Sequence, residues 1–304
     1  MRALGPMLAA VLLGVLATRP TAGLPAGGPL NRVNHLIVVY QENWSFDALY
    51  GRFPGANGLA TAGETIAQVD KDGHRYATLP QPLDTSKRPA APDPRFPADL
   101  PVAPFNLAQF VQPDQVTGDL VHRFYQEQYQ IDHGGMDRFV AWSDAAGLVM
   151  SYYDATNMPE GRLAQQYVLA DNFFHAAFGG SLLNHFWLIC ACTPAWPDAP
   201  ADMRAQLDAQ GTLVKDGAIT PDGYVVNTAF SVNHPHPPSI TDPGRLVPLQ
   251  DMPTIGDRLN ERGISWAWYS GGWRDALAGH PDPLFQYHHQ PFAYFAAYAD
   301  GTAA

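Results

Sequence analysis

Several groups of residues in this chain have the types and spacing to do chemistry. Glu42 and Asn43 follow the apolar run in "HLIVVYQEN". A carboxylate and an amide carbonyl are both oxygen donors, suited to a hard or borderline divalent cation, although Glu and Asn after a strand also serve as ordinary loop or capping residues. Ser181 follows Gly179 and Gly180 in "FGGSLLNHFWLICAC". Two glycines permit close backbone approach, and a helix opening at Ser181 would offer unsatisfied N–H groups and a partial positive charge to a phosphate or a serine alkoxide. Asn184, three residues on, shares a helical face with Ser181. On local grounds alone the N-cap reading of Ser181 is the favoured one, and an exposed hydroxyl there would carry little packing. His175 and His185 are candidates to orient this turn.

Other side chains carry weaker signals. His122 falls in a helical pattern beside Leu120 and Phe124, where a satisfied, partly buried imidazole is the default. His288 and His289 are adjacent in the aromatic-rich "LFQYHHQPFAYF", whereas His234 and His236 lie in a Pro-rich loop and have no assigned role. Gly-x-Ser-x-Gly fails at Leu183, and no sulfatase-type Cys or Ser followed by x-Pro-x-Arg occurs. Cys190 and Cys192 are one residue apart, so a bridge would be strained and two buried thiols are expected. With no further ligand nearby they make a poor metal site.

The elements that must position these groups alternate between strand and helix. "HLIVVY" reads as a fully buried strand of the kind found in parallel sheets. "GDLVHRFYQEQYQI" (118–131) has helical spacing with Asp119 as N-cap. "MPEGRLAQQY" places Pro159 at a first helical position, and "SLLNHFWLICAC" runs as a helix from Ser181. "TIGDRLNERGISWAWYS" gives a helix closed by Gly263 and then a strand. Two Pro-rich stretches, residues 79–104 and 233–253, lack periodicity and are expected to wrap the surface or rim a site. A single α/β domain with long insertions follows.

With 304 residues, 46% of them hydrophobic and 15% charged, the chain can bury a substantial core. A net charge of -11 and a pI near 5.3 exclude an extended electrostatic groove for nucleic acid. The first residues carry Arg2, an apolar run from Ala3 to Ala17 and small residues at Ala22 and Gly23. That is the layout of a secretory signal peptide over residues 1–23, with a mature chain that is secreted or periplasmic and not stably inserted in a membrane.

"QENWSFDALYGRFPGANG" (41–58) resembles the Gln-Glu-Asn-Arg-Ser-Phe-Asp opening of the phosphoesterase family that contains bacterial acid phosphatases and phospholipases C, relatives of alkaline phosphatase. Trp44 stands where that pattern has Arg. "DHGGMDRFV" (132–140), "LADNFFHAAFGGSLLNHFWL" (169–188) and "DRLNERGISWAWYSGGW" (257–273) follow in the family's order. Asn184-His185 and the "YHHQPF" pair look more like the acid phosphatase branch. The resemblance implies an alkaline-phosphatase-like α/β fold, with a mostly parallel sheet flanked by helices. It implies Ser181 as nucleophile, with Glu42, Asn43 and Ser181 on a divalent metal ion of unspecified identity. It implies Asn184, His122, His288 and His289 on the phosphate oxygens.

The expected function is that of a secreted, metal-dependent acid phosphatase acting on phosphomonoesters through a phosphoserine. Imidazolium in place of Arg predicts an acid optimum. The alternatives are a phospholipase C acting on a phospholipid head group and a non-catalytic secreted binding protein. The family also brings a later Asp-Glu-x-Gly-Gly and Asp-His segment whose acidic residues complete the metal site. None occurs here, so residues 24–304 are expected to be the N-terminal portion of a phosphoesterase domain, with the C-terminal part of the fold missing.

Overall fold

The computed structural model describes residues 32–42, 44–63 and 67–299. The expected leader at residues 1–23 lies outside the described residues, as does Asn43. By internal contacts the chain divides into residues 1–43 and residues 44–304. In the first unit the expected strand does not form. No strand is assigned to residues 35–40, and Leu36, Ile37, Val38 and Val39 are 86%, 82%, 68% and 75% exposed. Apolar, β-branched composition favours a strand, but a strand exists only where a neighbour completes its hydrogen-bond ladder.

The second unit mixes short helices with small sheets. β1 (Leu83–Asp84) pairs antiparallel with β2 (Ala91–Pro92), β3 (Phe105–Asn106) pairs parallel with β4 (Ser151–Tyr152), and β5 (Gln206–Leu207) pairs antiparallel with β6 (Leu213–Lys215). These three two-stranded sheets stand, among the described residues, where one mostly parallel sheet was expected. Proline is a physical reason for their brevity, because it donates no ladder bond and is tolerated only at strand edges and ends, as at Pro92 in β2. The strand expected at "ISWAWYS" is likewise absent, and Ile264 and Tyr269 are exposed.

The helices follow their local signals more closely. α1 (Phe46–Leu49) starts from Ser45, whose Oγ accepts from the Ala48 N–H. α2 (Phe124–Ile131) begins later than the pattern from residue 118 predicts. Asp119 does not cap it; the Phe124 N–H donates instead to Asn227 Oδ1 at 2.9 Å. α3 (Pro159–Gln166) has Pro159 at its start as expected, and α4 (Ser181–Cys190) opens at Ser181. α5 (Ile255–Asn260) carries a capping box between Thr254 and Asp257, and α6 (Trp273–Leu277) follows Gly272. No helix of the described residues is long and apolar enough to cross a membrane.

Two apolar clusters hold this unit together. One gathers Leu182, Phe186 and Ile189 of α4 with Ile219, Val225, Val247, Phe292 and Tyr294. The other joins Leu79, Phe96, Leu100, Phe105, Leu107 and Leu148. The first Pro-rich stretch therefore does more than wrap the surface, since it places Leu79, Phe96 and Leu100 inside a core. The cysteines differ from expectation too. Ala191 ends α4 in the left-handed region (φ 48°, ψ 41°), which brings the Cys190 and Cys192 Cα atoms to 5.1 Å and allows a disulfide between them.

Candidate active site

The first turn of α4 is built from the backbone outward. Gly179 has φ +118°, a region that L side chains rarely adopt, and Gly180 occupies the N-cap position without a side chain to cap the helix. A Cβ on Gly180 would lie 3.0 Å from the His122 carbonyl oxygen and 3.7 Å from its ring Cδ2, so the absent side chain lets His122 approach. Asn184 Nδ2 donates to the Gly179 oxygen at 3.1 Å and to the Gly180 oxygen at 3.4 Å. That leaves Asn184 Oδ1 buried and without a hydrogen-bond partner among the described residues. Ser181 is only 7% exposed, which corrects the expectation of an exposed hydroxyl.

His185 stands one turn along the helix and is 3% exposed. Its Nδ1 lies 2.8 Å from the Ser181 carbonyl oxygen, an acceptor, so this nitrogen carries the proton. The turn Tyr287–His289 packs against α4, and the His289 ring stacks on His185 at 4.7 Å with 19° between planes. His288 meets His289 edge-on at 4.5 Å and Phe230 at 6.3 Å. Trp268 closes the other edge of His185 at 6.3 Å, its own Nε1 donating to Gln290 Oε1. His288 and His289, expected on the site by resemblance, are thus packed with the helix that carries Ser181 and Asn184.

His122 arrives from the other side. It lies on the stretch leading into α2, not in the helix, because α2 starts only at Phe124. It is exposed, with Nδ1 2.6 Å from the Leu120 oxygen. His122, Arg123, Asp144, Gly180 and Asn227 line a cleft of about 240 Å3. Arg123 is engaged with Asp216, whose carboxyl is raised by burial but held below its ordinary value by hydrogen bonds from Arg123 and Gln126. Asn227, 1% exposed, joins the Phe124 N–H to the Gly217 oxygen.

Glu127 escaped the sequence reading. Its Oε2 accepts the Gly179 N–H at 2.6 Å, and burial pushes its carboxyl up while the Gly179 bond, His122 and His175 pull it down. The available signal was that Glu127 is the one charge in "FYQEQYQI". A lone ionisable group on a helix that buries Tyr125 and Gln130 is costly unless it has a partner.

The remaining groups divide plainly. Glu42 is exposed in the first unit, and Asn43 lies outside the described residues. His175 is exposed, and His234 and His236 stack on each other at 4.3 Å. Asp70, Asp72 and His74 bring ligand atoms within 4.8 Å of one another, but Asp70 Oδ1 accepts the Asp72 and His74 N–H groups, as an ordinary polar turn does. Around the α4 start, the Ser181 hydroxyl and the partnerless Asn184 Oδ1 are oxygen donors one turn apart. Their chemistry fits part of the shell of a hard divalent ion.

Over 182 residues the chain is 26% identical to the proteins named "Phospholipase C A" from Mycobacterium tuberculosis, in strains CDC 1551 / Oshkosh and ATCC 25618 / H37Rv. The match covers 57% of this chain and 32% of each relative, so it spans about a third of their length. The Phosphoesterase family model matches residues 33–304 and takes in α4, the paired histidines and the lead-in to α2. The chain therefore belongs to the Phosphoesterase family, named for enzymes that hydrolyse phosphoric esters.

Proposed function

We propose that this protein is a metal-dependent hydrolase of phosphomonoesters in which Ser181 is the nucleophile. The observation that carries the reading is the start of α4, where Ser181 opens the helix, Asn184 holds the turn before it, and the His185 and His289 rings stack at 4.7 Å alongside. Ser181 Oγ gives up its proton to solvent and attacks phosphorus in line as the bond to the leaving alcohol breaks, giving a phosphoserine that water then hydrolyses to free serine and inorganic phosphate. The first-turn N–H groups of α4 face a developing negative charge. His122, His288 and His289 supply hydrogen-bond donors to the phosphoryl oxygens, and one imidazolium passes a proton to the departing alkoxide. Asn184 acts on the loop, since its amide hydrogens are directed at the Gly179 and Gly180 carbonyls.

A divalent ion, when bound, would polarise the phosphoryl group and acidify the serine hydroxyl. Ser181 and the Asn184 oxygen fit it chemically, and the sequence resemblance adds Glu42 and Asn43. The same resemblance carries the acid phosphatase branch, the acid optimum, an alkaline-phosphatase-like fold and a secreted or periplasmic location. The Cys190–Cys192 bridge supports the last, because disulfides persist in oxidising compartments.

Turnover of an aryl phosphate with added divalent metal tests the reading. Ser181→Ala is expected to lower kcat by a factor of about 10^4 while the melting temperature stays within about 3 °C, because a single small hydroxyl is removed. Acid quenching of the wild type should trap a phosphoryl adduct on Ser181. Wild-type turnover by the alanine variant would sink the assignment, and a metal-independent absence of turnover in the wild type would favour a binding protein. Phospholipase C is the second reading, favoured by the name of the Mycobacterium relatives. A faster rate on phosphatidylcholine dispersions than on the aryl phosphate would select it.

A further inference from the structure

We infer that Glu127 is a positioning residue for Ser181: by accepting the Gly179 N–H it fixes the Gly179–Gly180 turn that sets where α4 begins. The inference rests on the reading of Ser181 as nucleophile. Two successive glycines have the largest backbone freedom of any dipeptide, and Gly179 uses it to reach φ +118°. Something must hold that conformation if the Ser181 hydroxyl is to meet a phosphorus atom repeatedly at one angle. Asn184 binds the carbonyls of both glycines, but it belongs to α4 and moves with the helix it would have to locate. Glu127 belongs to α2 and so ties the turn to a separate element.

That second element is itself anchored. Asn227 holds the first N–H of α2 and the Gly217 oxygen, and Asp216 accepts from both Arg123 and Gln126. The Glu127 carboxylate thus stands on a braced helix and meets the Gly179 N–H at 2.6 Å, the short length of a charge-assisted bond. The negative charge is half-buried close to where an anionic substrate is proposed to bind, so what the inference assigns to this residue is its oxygen acceptor, which a neutral amide would also supply. His122 and His175 lie near enough to offset the charge, which makes a carboxylate tolerable there.

The test uses the full chain with divalent metal and an aryl phosphate, comparing wild type with Glu127→Ala and Glu127→Gln. The alanine variant should lose about 100-fold in kcat, the effect of a misplaced reacting group, with KM within about threefold. Glutamine keeps an oxygen acceptor and should recover to within about threefold of wild type. Alanine within about twofold of wild type, or glutamine as slow as alanine, would overturn the inference. If the alanine variant fails to fold, Glu127→Asp replaces it: one methylene shorter, it should be about tenfold slow, and a wild-type rate overturns the idea. A 15N-glycine spectrum gives a readout independent of turnover, in which the Gly179 amide should move upfield in Glu127→Ala and by a smaller amount in Glu127→Gln, where a neutral acceptor replaces a charged one. An unmoved resonance in alanine would also overturn it. An inactive wild type with the expected amide shifts removes the catalytic reading, whereas an active wild type with an equally active alanine variant removes only the role of Glu127.

Discussion

Burial raises the Glu127 carboxyl against the pull of the Gly179 N–H and of His122 and His175. Its folded value therefore lies above its unfolded value, so ionisation weakens the native state relative to an uncharged side chain. The favourable balance is complete below the unfolded value of about 4.3 and is lost as pH rises through the higher folded value. Glu127→Gln should then melt at the wild-type temperature near pH 4, where both side chains are neutral. Near pH 8 it should melt higher, by about 2–4 °C for each kcal/mol of relieved burial. Thermal melts at the two pH values decide this, and a less stable glutamine variant at pH 8 would refute it. Such a gain in stability beside unchanged turnover would separate the hydrogen bond of this residue from its charge.

Among the elements, α2 depends on a cap from far along the chain. Asn227 is 103 residues from Phe124, and its truncation leaves the part-buried Phe124 N–H without its partner and the buried Gly217 oxygen with only the long 3.5 Å bond from Arg123. Asn227→Ala should lower stability by about 1–3 kcal/mol, read as a lower urea midpoint at unchanged slope. The same long-range bond explains why the start of α2 was illegible in the sequence. Helical spacing ran back to Leu120, but the cap that wins is on another segment, and His122 consequently sits outside the helix. Features decided within a few residues were legible: Pro159 opening α3, Ser181 opening α4, and Gly263 beyond α5. Strands were not, because "HLIVVY" and "ISWAWYS" report only a preference that a neighbour must complete. At the site, the spacing of Ser181 and Asn184 was readable, whereas the His185–His289 stack required two segments about a hundred residues apart to meet. The disulfide was missed because it turns on the left-handed conformation of Ala191, a residue with no such preference.

At the scale of the whole molecule, the described residues expose several large apolar side chains. Tyr167, Val168, Phe173, Phe174, Tyr269 and Leu284 are each more than 70% exposed. Scattered apolar residues are ordinary, but runs of adjacent ones promote association. The net charge of -11 opposes it, and salt screens that repulsion over about 10 Å at 0.1 M. The hydrodynamic radius from light scattering should therefore grow between about 0.02 M and 0.5 M salt. Phe174→Lys with Tyr269→Lys should reduce the growth, and a radius independent of salt in both proteins would count against an apolar origin.

The burial of α4 has a consequence for heritable variation. Ser181, Leu182, Leu183, His185, Phe186 and Ile189 are buried on a ten-residue helix, so apolar and functional positions occupy nearly its whole circumference. Leu188, 41% exposed, is the clear exception. In a saturation library across residues 181–190, surviving clones should concentrate their diversity at position 188 and keep volume elsewhere, because a deleted core side chain costs about 2–5 kcal/mol. Change in this segment is expected to reach the population through that one outward position, leaving the reactive turn and its supporting pillar to be inherited as a block.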